Sequence, residues 1–133
     1  MSVYVRLRVA AEAYAIPVEN VREITPLGEL TAVPGALPEM LGVRNLRGQI
    51  LPVADLALVL GLTAATAPAL LLVAEAGDLQ AGLAVDAVTA VSELPGPAEA
   101  AGSALLTGSA LTGGDLIGFI DMTRVFGLLG RSR

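Results

Sequence analysis

From Val3 to Val9 the apolar residues Val3, Val5, Leu7 and Val9 alternate strictly with Tyr4, Arg6 and Arg8. A period of two marks a strand with one wet face, because successive side chains leave the pleated backbone on opposite sides. Glu12-Ala13 reads as a turn, and Tyr14-Ala15-Ile16 resumes the extended pattern before Pro17. Pro17-Val18-Glu19-Asn20 predicts a helical turn, and Val21-Arg22-Glu23-Ile24 a further strand. A loop follows, punctuated by Pro26, Gly28, Pro34, Gly35 and Pro38. Between Asn45 and Leu56 two apolar, β-rich runs flank Arg47-Gly48, the pattern of strand, tight turn, strand. Gly48 accepts a positive φ without strain. A short apolar helix is expected around Leu56 to Leu60.

Thr63 to Pro68, small and uncharged and closed by proline, reads as an internal linker. Leu70 to Ala74 and Leu79 to Val85 then flank the hairpin signal Ala76-Gly77-Asp78, and Val88 to Leu94 gives another strand. Pro95 to Ser103 is a Pro/Gly/Ala-rich excursion. A last hairpin turning at Gly113-Gly114 leads into Leu116 to Asp121, and Met122 to Leu129 forms a terminal helix with Gly130 as its stop. About ten short strands at 8–12-residue spacing, with little helix, predict an all-β fold. Strand, Asp and short apolar helix recur at Ile50 to Leu60 and at Leu116 to Leu129. The chain therefore reads as one unit over 1–133 with two similar halves, 1–66 and 67–133, exchange of strands between them being left open. A half of about 60 residues is marginal by burial alone. The halves are expected to pack on each other and leave a groove at the joint.

Composition narrows the function. Apolar residues make up 54% of the chain but aromatics only 3%, so the core rests on Leu, Val, Ile and Ala. A base-stacking platform for single-stranded nucleic acid needs a ring for each stacked base, and with two Tyr and two Phe in the chain it is not expected. The eight basic residues are all arginines and, against thirteen acids, leave a net charge of −5. Without a basic cluster, neither nucleic acid nor anionic lipid is an expected partner. Cysteine and histidine are absent, which removes disulfides, zinc–thiolate sites and cysteine nucleophiles, together with the commonest general base and the commonest metal ligand. No cofactor or metal is expected. Met1-Ser2 leads straight into the first strand with no apolar signal-peptide region. Leu56 to Ala74 is uncharged and long enough to raise a membrane span. Gly61, Thr63, Thr66 and Pro68 interrupt it, so two short buried elements are expected instead, with no membrane insertion.

Several blocks together resemble one family. Tyr14-Ala15-Ile16-Pro17 with Val21-Arg22-Glu23-Ile24, then Pro38 to Val43, Asn45-Leu46-Arg47-Gly48 with Pro52-Val53-Ala54-Asp55-Leu56, Gly82 to Val88, and Ile117-Gly118-Phe119-Ile120-Asp121 are similar, in order, to the CheW-like chemotaxis coupling domains. The likeness runs from Tyr4 to Leu129. It implies two SH3-like five-stranded β-barrels packed together with a short C-terminal helix. It also implies a cytoplasmic, non-enzymatic adaptor that bridges chemoreceptor cytoplasmic tips and the regulatory domain of a histidine kinase. The receptor contact would lie in the groove between barrels and the kinase contact at barrel ends. Ala15 stands where the family often has glycine, and the chain ends at Arg133 without the longer tail of some members.

On that resemblance the partner-binding residues are Val21, Glu23, Leu46, Arg47 and Gly48. Glu23 and Arg47 would pair across the groove, with Val21 and Leu46 as its apolar floor. Arginine suits a carboxylate through its planar fork of donors, and an exposed pair acts more on partner choice than on stability. The plainer readings are two unrelated surface charges and two ordinary core residues. Asp86 and Asp121 raise a carboxylate-pair hydrolase, but a turn-capping or helix-capping aspartate explains each with fewer demands. A binding module of the same fold in another histidine-kinase pathway is the remaining alternative.

Overall fold

The computed structural model describes residues 1–63, 66–100 and 102–131. Ala64 and Ala65 of the expected linker, Ala101 of the Pro/Gly/Ala-rich excursion and Arg133 lie outside the described residues. Among the described residues ten strands are formed: β1 Ser2–Val9, β2 Glu12–Pro17, β3 Val21–Pro26, β4 Met40–Leu46, β5 Gln49–Asp55, β6 Leu70–Ala76, β7 Leu79–Val85, β8 Ala87–Leu94, β9 Leu106–Thr112 and β10 Asp115–Ile120. A 3-10 turn spans Val18–Asn20, and two helices, α1 Leu56–Val59 and α2 Met122–Arg131, follow β5 and β10. The uncharged stretch divides into α1 and β6, and among the described residues no helix is long and apolar enough to cross a membrane.

The strands form two five-stranded sheets, ordered β8-β1-β2-β10-β9 and β3-β6-β7-β5-β4. The all-β fold of two SH3-like barrels with a short C-terminal helix is therefore what the chain adopts. The dividing line is different from the expected one. Barrel 2 is the continuous segment from Val21 to Val85, whereas barrel 1 joins β1 and β2 to β8, β9 and β10. A boundary between residues 66 and 67 cuts barrel 2 in the middle, because β6 and β7 pair back onto β3 and β5. Each barrel holds one parallel pair, β2 with β10 and β5 with β7.

Alternation along the strands feeds three cores at once. In β7, Ala81, Leu83 and Val85 join a large core shared by both barrels, while Ala84 turns into barrel 2. In β6, Leu72 and Ala74 take the shared side, and Leu71 and Val73 the interior. In barrel 1, Tyr14, Ile16 and Ile120 face the shared core, whereas Ala15, Ile117 and Phe119 fill the barrel. Both faces of these strands are buried, so an almost continuous apolar run such as Leu70 to Ala74 is required. Helix α2 adds Met122, Val125 and Phe126 to the shared core at helical spacing. A small cavity of about 120 Å³, lined by Met40, Pro52, Leu79, Ala81, Phe126 and Leu129, remains where α2 meets barrel 2.

Local signals differ from expectation at two points. The β1–β2 turn is Ala10-Ala11, both at positive φ (51° and 67°), and Glu12 already belongs to β2. Alanine gives no sign of a left-handed turn, since its Cβ disfavours that conformation. Helix α2 passes through Gly130 to Arg131, so that glycine is not its stop.

Candidate functional site

The β4–β5 hairpin is closed by the pair Leu46 and Gln49, leaving Arg47-Gly48 as its two-residue loop. Both loop residues have positive φ, 51° at Arg47 and 84° at Gly48. That is the type I′ combination, whose twist matches that of the flanking strands. Gly48 adopts it freely, whereas Arg47 bears a local strain. Asn45 supports the loop, its Oδ1 accepting a hydrogen bond from the Gly48 N–H at 2.9 Å. The arginine is thereby fixed at the hairpin tip, with its side chain 69% exposed.

Glu23 lies on β3, whose outward residues Arg22, Ile24 and Pro26 alternate with half-buried Val21, Glu23 and Thr25. Arg47 Nη1 donates to Glu23 Oε2 at 3.3 Å, and Nη2 donates to Oε1, forming a two-pronged pair. The Arg47 hydrogen bond holds the Glu23 carboxyl below the usual glutamate range, with the charges of Arg47, Arg22 and Arg44 adding to it. Reciprocally, Glu23 raises the Arg47 guanidinium further above its ordinary value.

The pair does not cross the joint between barrels. Strands β3 and β4 are the two edges of one sheet, so Glu23 and Arg47 meet over the seam of barrel 2. Val21 and Leu46 are not one floor either: Val21 packs against the shared core and Leu46 against the interior of barrel 2. Period two sends them into different layers. Of the five residues singled out, Glu23, Arg47 and Gly48 are brought together at the hairpin tip.

Sequence reasoning passed over the neighbours that complete this end of the barrel. Arg22 pairs with Glu75 at 3.2 Å, Gln80 donates to Glu75 at 3.3 Å, and Gln49 donates to Gln80 at 3.0 Å. These four residues string a polar line across β3, β6, β7 and β5. Arg44, on β4, donates through Nη1 to the Pro26 carbonyl at 2.7 Å. Its signal was a charge directly after the apolar run Met40 to Val43, three residues before Arg47.

The two aspartates are occupied by backbone. Asp86 Oδ2 accepts from the Ala10 N–H at 2.9 Å, and Asp121 Oδ1 accepts from the Arg124 N–H at 3.1 Å at the start of α2. Asp55 caps α1 in the same way, accepting from the Ala57 N–H at 3.0 Å. These are capping roles.

The chain as a whole is similar to known proteins. The chain is 38% identical over 89 residues to a probable chemotaxis protein CheW of Rhizobium etli, covering 65% of this chain and 57% of that protein. It is 36% identical to the chemotaxis protein CheW of Rhizobium meliloti over the same shares. With the chemotaxis protein CheW of Thermotoga maritima it shares 35% identity over 60% of this chain and 54% of that one. The matched stretch thus spans little more than half the length of these relatives. The crystal structure of the scaffolding protein TtCheW from Thermoanaerobacter tengcongensis superposes with a TM-score of 0.86 at 26% identity, covering 99% of this chain and 97% of that one. A family model described as CheW-like domain matches residues 3–130. The chain belongs to the CheW-like domain family.

Proposed function

We propose that this protein is a non-enzymatic scaffold of bacterial chemotaxis that joins the cytoplasmic tip of a chemoreceptor to the regulatory domain of a histidine kinase in the cytoplasm. The family membership and the relatives named as chemotaxis and scaffolding proteins support the scaffold role. The observation that carries the binding site is the Arg47 hairpin tip. An arginine is held there in a strained backbone conformation, largely exposed, with its fork turned onto Glu23. An exposed pair adds little to folding, so the strain is better explained by recognition than by stability. Glu23, Arg47 and Gly48 form the contact, and Val21 and Leu46 set its shape from the two cores beneath.

Pull-down and calorimetry with receptor-tip and kinase regulatory-domain fragments test this reading. The parent protein is expected to bind both. Arg47→Ala should weaken one of the two complexes by about tenfold or more, the usual result of removing one partner of an interface charge pair. Its thermal midpoint should stay within about 2 °C of the parent, as for most surface substitutions. Arg47→Lys should recover only part of the affinity, because it keeps the charge and loses the fork. Binding of neither fragment by the parent, or parent-like binding of both by Arg47→Ala, refutes the proposal.

A further inference from the structure

Strands β3 and β4 are the two terminal strands of the barrel 2 sheet, and side chains join them at two points. Arg47 reaches Glu23, and Arg44 reaches the carbonyl of Pro26 at 2.7 Å. The two donors are three residues apart, one on β4 and one in the turn that follows it, and the two acceptors are three apart on β3, running in opposite directions. The seam is thus laced like a two-rung antiparallel ladder in which arginine side chains replace backbone hydrogen bonds.

The second rung has its own provision. Gly28, at φ +69°, lies two residues beyond the accepting Pro26, and a Cβ there would come within 3.1 Å of the Arg44 guanidinium carbon. Glycine at this position lets the chain turn away and leaves room for the guanidinium plane against the backbone. Just beyond, Thr31 and Val43 exchange backbone hydrogen bonds at 2.9 Å in both directions, so the β3–β4 connection returns along the edge of β4. Arg44 stands between that backbone bridge and the Arg47 turn.

We infer that Arg44 is a positioning residue for the partner site: by tying the end of β3 to β4 it fixes the width of the seam and holds Glu23 within reach of Arg47. This deepens the proposed function, and it rests on that reading only for its binding readout. Arg44 acts through Arg47 and not by touching the partner, which makes its effect conditional.

The test uses the full chain carrying Arg44→Met, which keeps the length and loses charge and donors, and Arg44→Lys, which keeps a charged donor. In the parent, Arg47 side-chain N–H signals in NMR should be sharp and slowly exchanging. They should broaden in Arg44→Met and return in Arg44→Lys. For the fragment whose binding depends on Arg47, Arg44→Met should lower affinity about fivefold, and it should add nothing in an Arg47→Ala background, the non-additivity expected of two residues acting in series. Arg47 signals unchanged in Arg44→Met overturn the inference. So does a fivefold loss that persists in the Arg47→Ala background, which would make Arg44 a direct contact. If the parent binds neither fragment, the partner reading falls and the Arg47 signals alone decide the strap.

Discussion

Barrels 1 and 2 are the same object threaded differently. Reading barrel 1 as β8, β9, β10, β1, β2 and barrel 2 as β3 to β7, their strand orders coincide, each with its parallel pair at the matching place and a helix after the third strand. Topology therefore assigns the Arg47-Gly48 turn of barrel 2 to the Gly113-Gly114 turn of barrel 1. Both are two-residue loops with positive φ throughout. One carries a cation paired across its seam and the other carries no side chain at all. The fold supplies two hairpin tips and the sequence arms one of them. Their interiors differ as well: barrel 2 is filled by Leu51, Val53, Leu71, Val73 and Ala84, whereas barrel 1 depends on Phe119, whose ring meets Tyr4 edge-on at 5.0 Å and 77°.

The largest effect should come from that ring. Phe119→Ala empties the middle of barrel 1 and is expected to cost about 3–5 kcal/mol in urea denaturation. Calorimetry of the variant should still show one transition, since Val5, Leu7 and Ile16 of barrel 1 interlock with Leu72, Leu83 and Val85 of barrel 2 in the shared core. Two separated transitions would break the picture of two barrels stabilising one another.

A smaller effect sharpens a second pair of equivalent turns. Ala10-Ala11 in barrel 1 corresponds to Gly77-Asp78 in barrel 2, where glycine takes the positive φ of 59°. Barrel 1 compensates for its alanines through Asp86, which accepts the Ala10 N–H. Asp86→Ala, leaving that donor unmet, should destabilise by about 1–3 kcal/mol. Ala11→Gly should stabilise by a fraction of that, roughly 0.5–1 kcal/mol, as left-handed strain is relieved against the added chain freedom of glycine. An Asp86→Ala variant as stable as the parent would show that the turn holds without its tether.

The smallest effects concern pH, and they fall at opposite ends of the scale. In barrel 1, burial first, and then the hydrogen bond Tyr14 donates to Glu12 at 2.8 Å, hold the phenol far above its ordinary 10.0. The unfolded chain releases that proton first, so stability should decline as pH rises past about 10, and Tyr14→Phe should flatten the decline. In barrel 2, the Arg47 hydrogen bond depresses Glu23 below its ordinary 4.5. Its contribution is complete above that value and fades as pH falls through the lower folded midpoint. Carbon-detected NMR titration should place the Glu23 midpoint below that of an ordinary glutamate, and Arg47→Ala should move it back up.

How far the sequence reached follows from the range of each interaction. The Arg47-Gly48, Gly77-Asp78 and Gly113-Gly114 turns were legible because glycine advertises positive φ. The Ala10-Ala11 turn was not, because its stabilising partner Asp86 is 76 residues away. The Glu23–Arg47 pair was anticipated, yet at the joint between barrels instead of a seam within one. Charge types suggest a pairing, but only sheet order decides which strands become edges. Arg44 was missed for a related reason: its acceptor is a main-chain carbonyl, and every residue has one.

Barrel 1 is assembled from strands that lie on either side of barrel 2 in the sequence, with partners such as Val5 and Val91 meeting across the whole intervening segment. This sets a schedule for the growing chain on the ribosome. Residues 21–85 bring out all five strands of barrel 2 first, whereas β1 and β2 must wait, paired only with each other, until β8 and β10 are made. A long loop of unfolded chain would make that late docking entropically costly, but the finished barrel 2 shortens the effective distance its ends must travel. The shared core on barrel 2 is the surface against which the older, waiting hairpin and the newest strands come together.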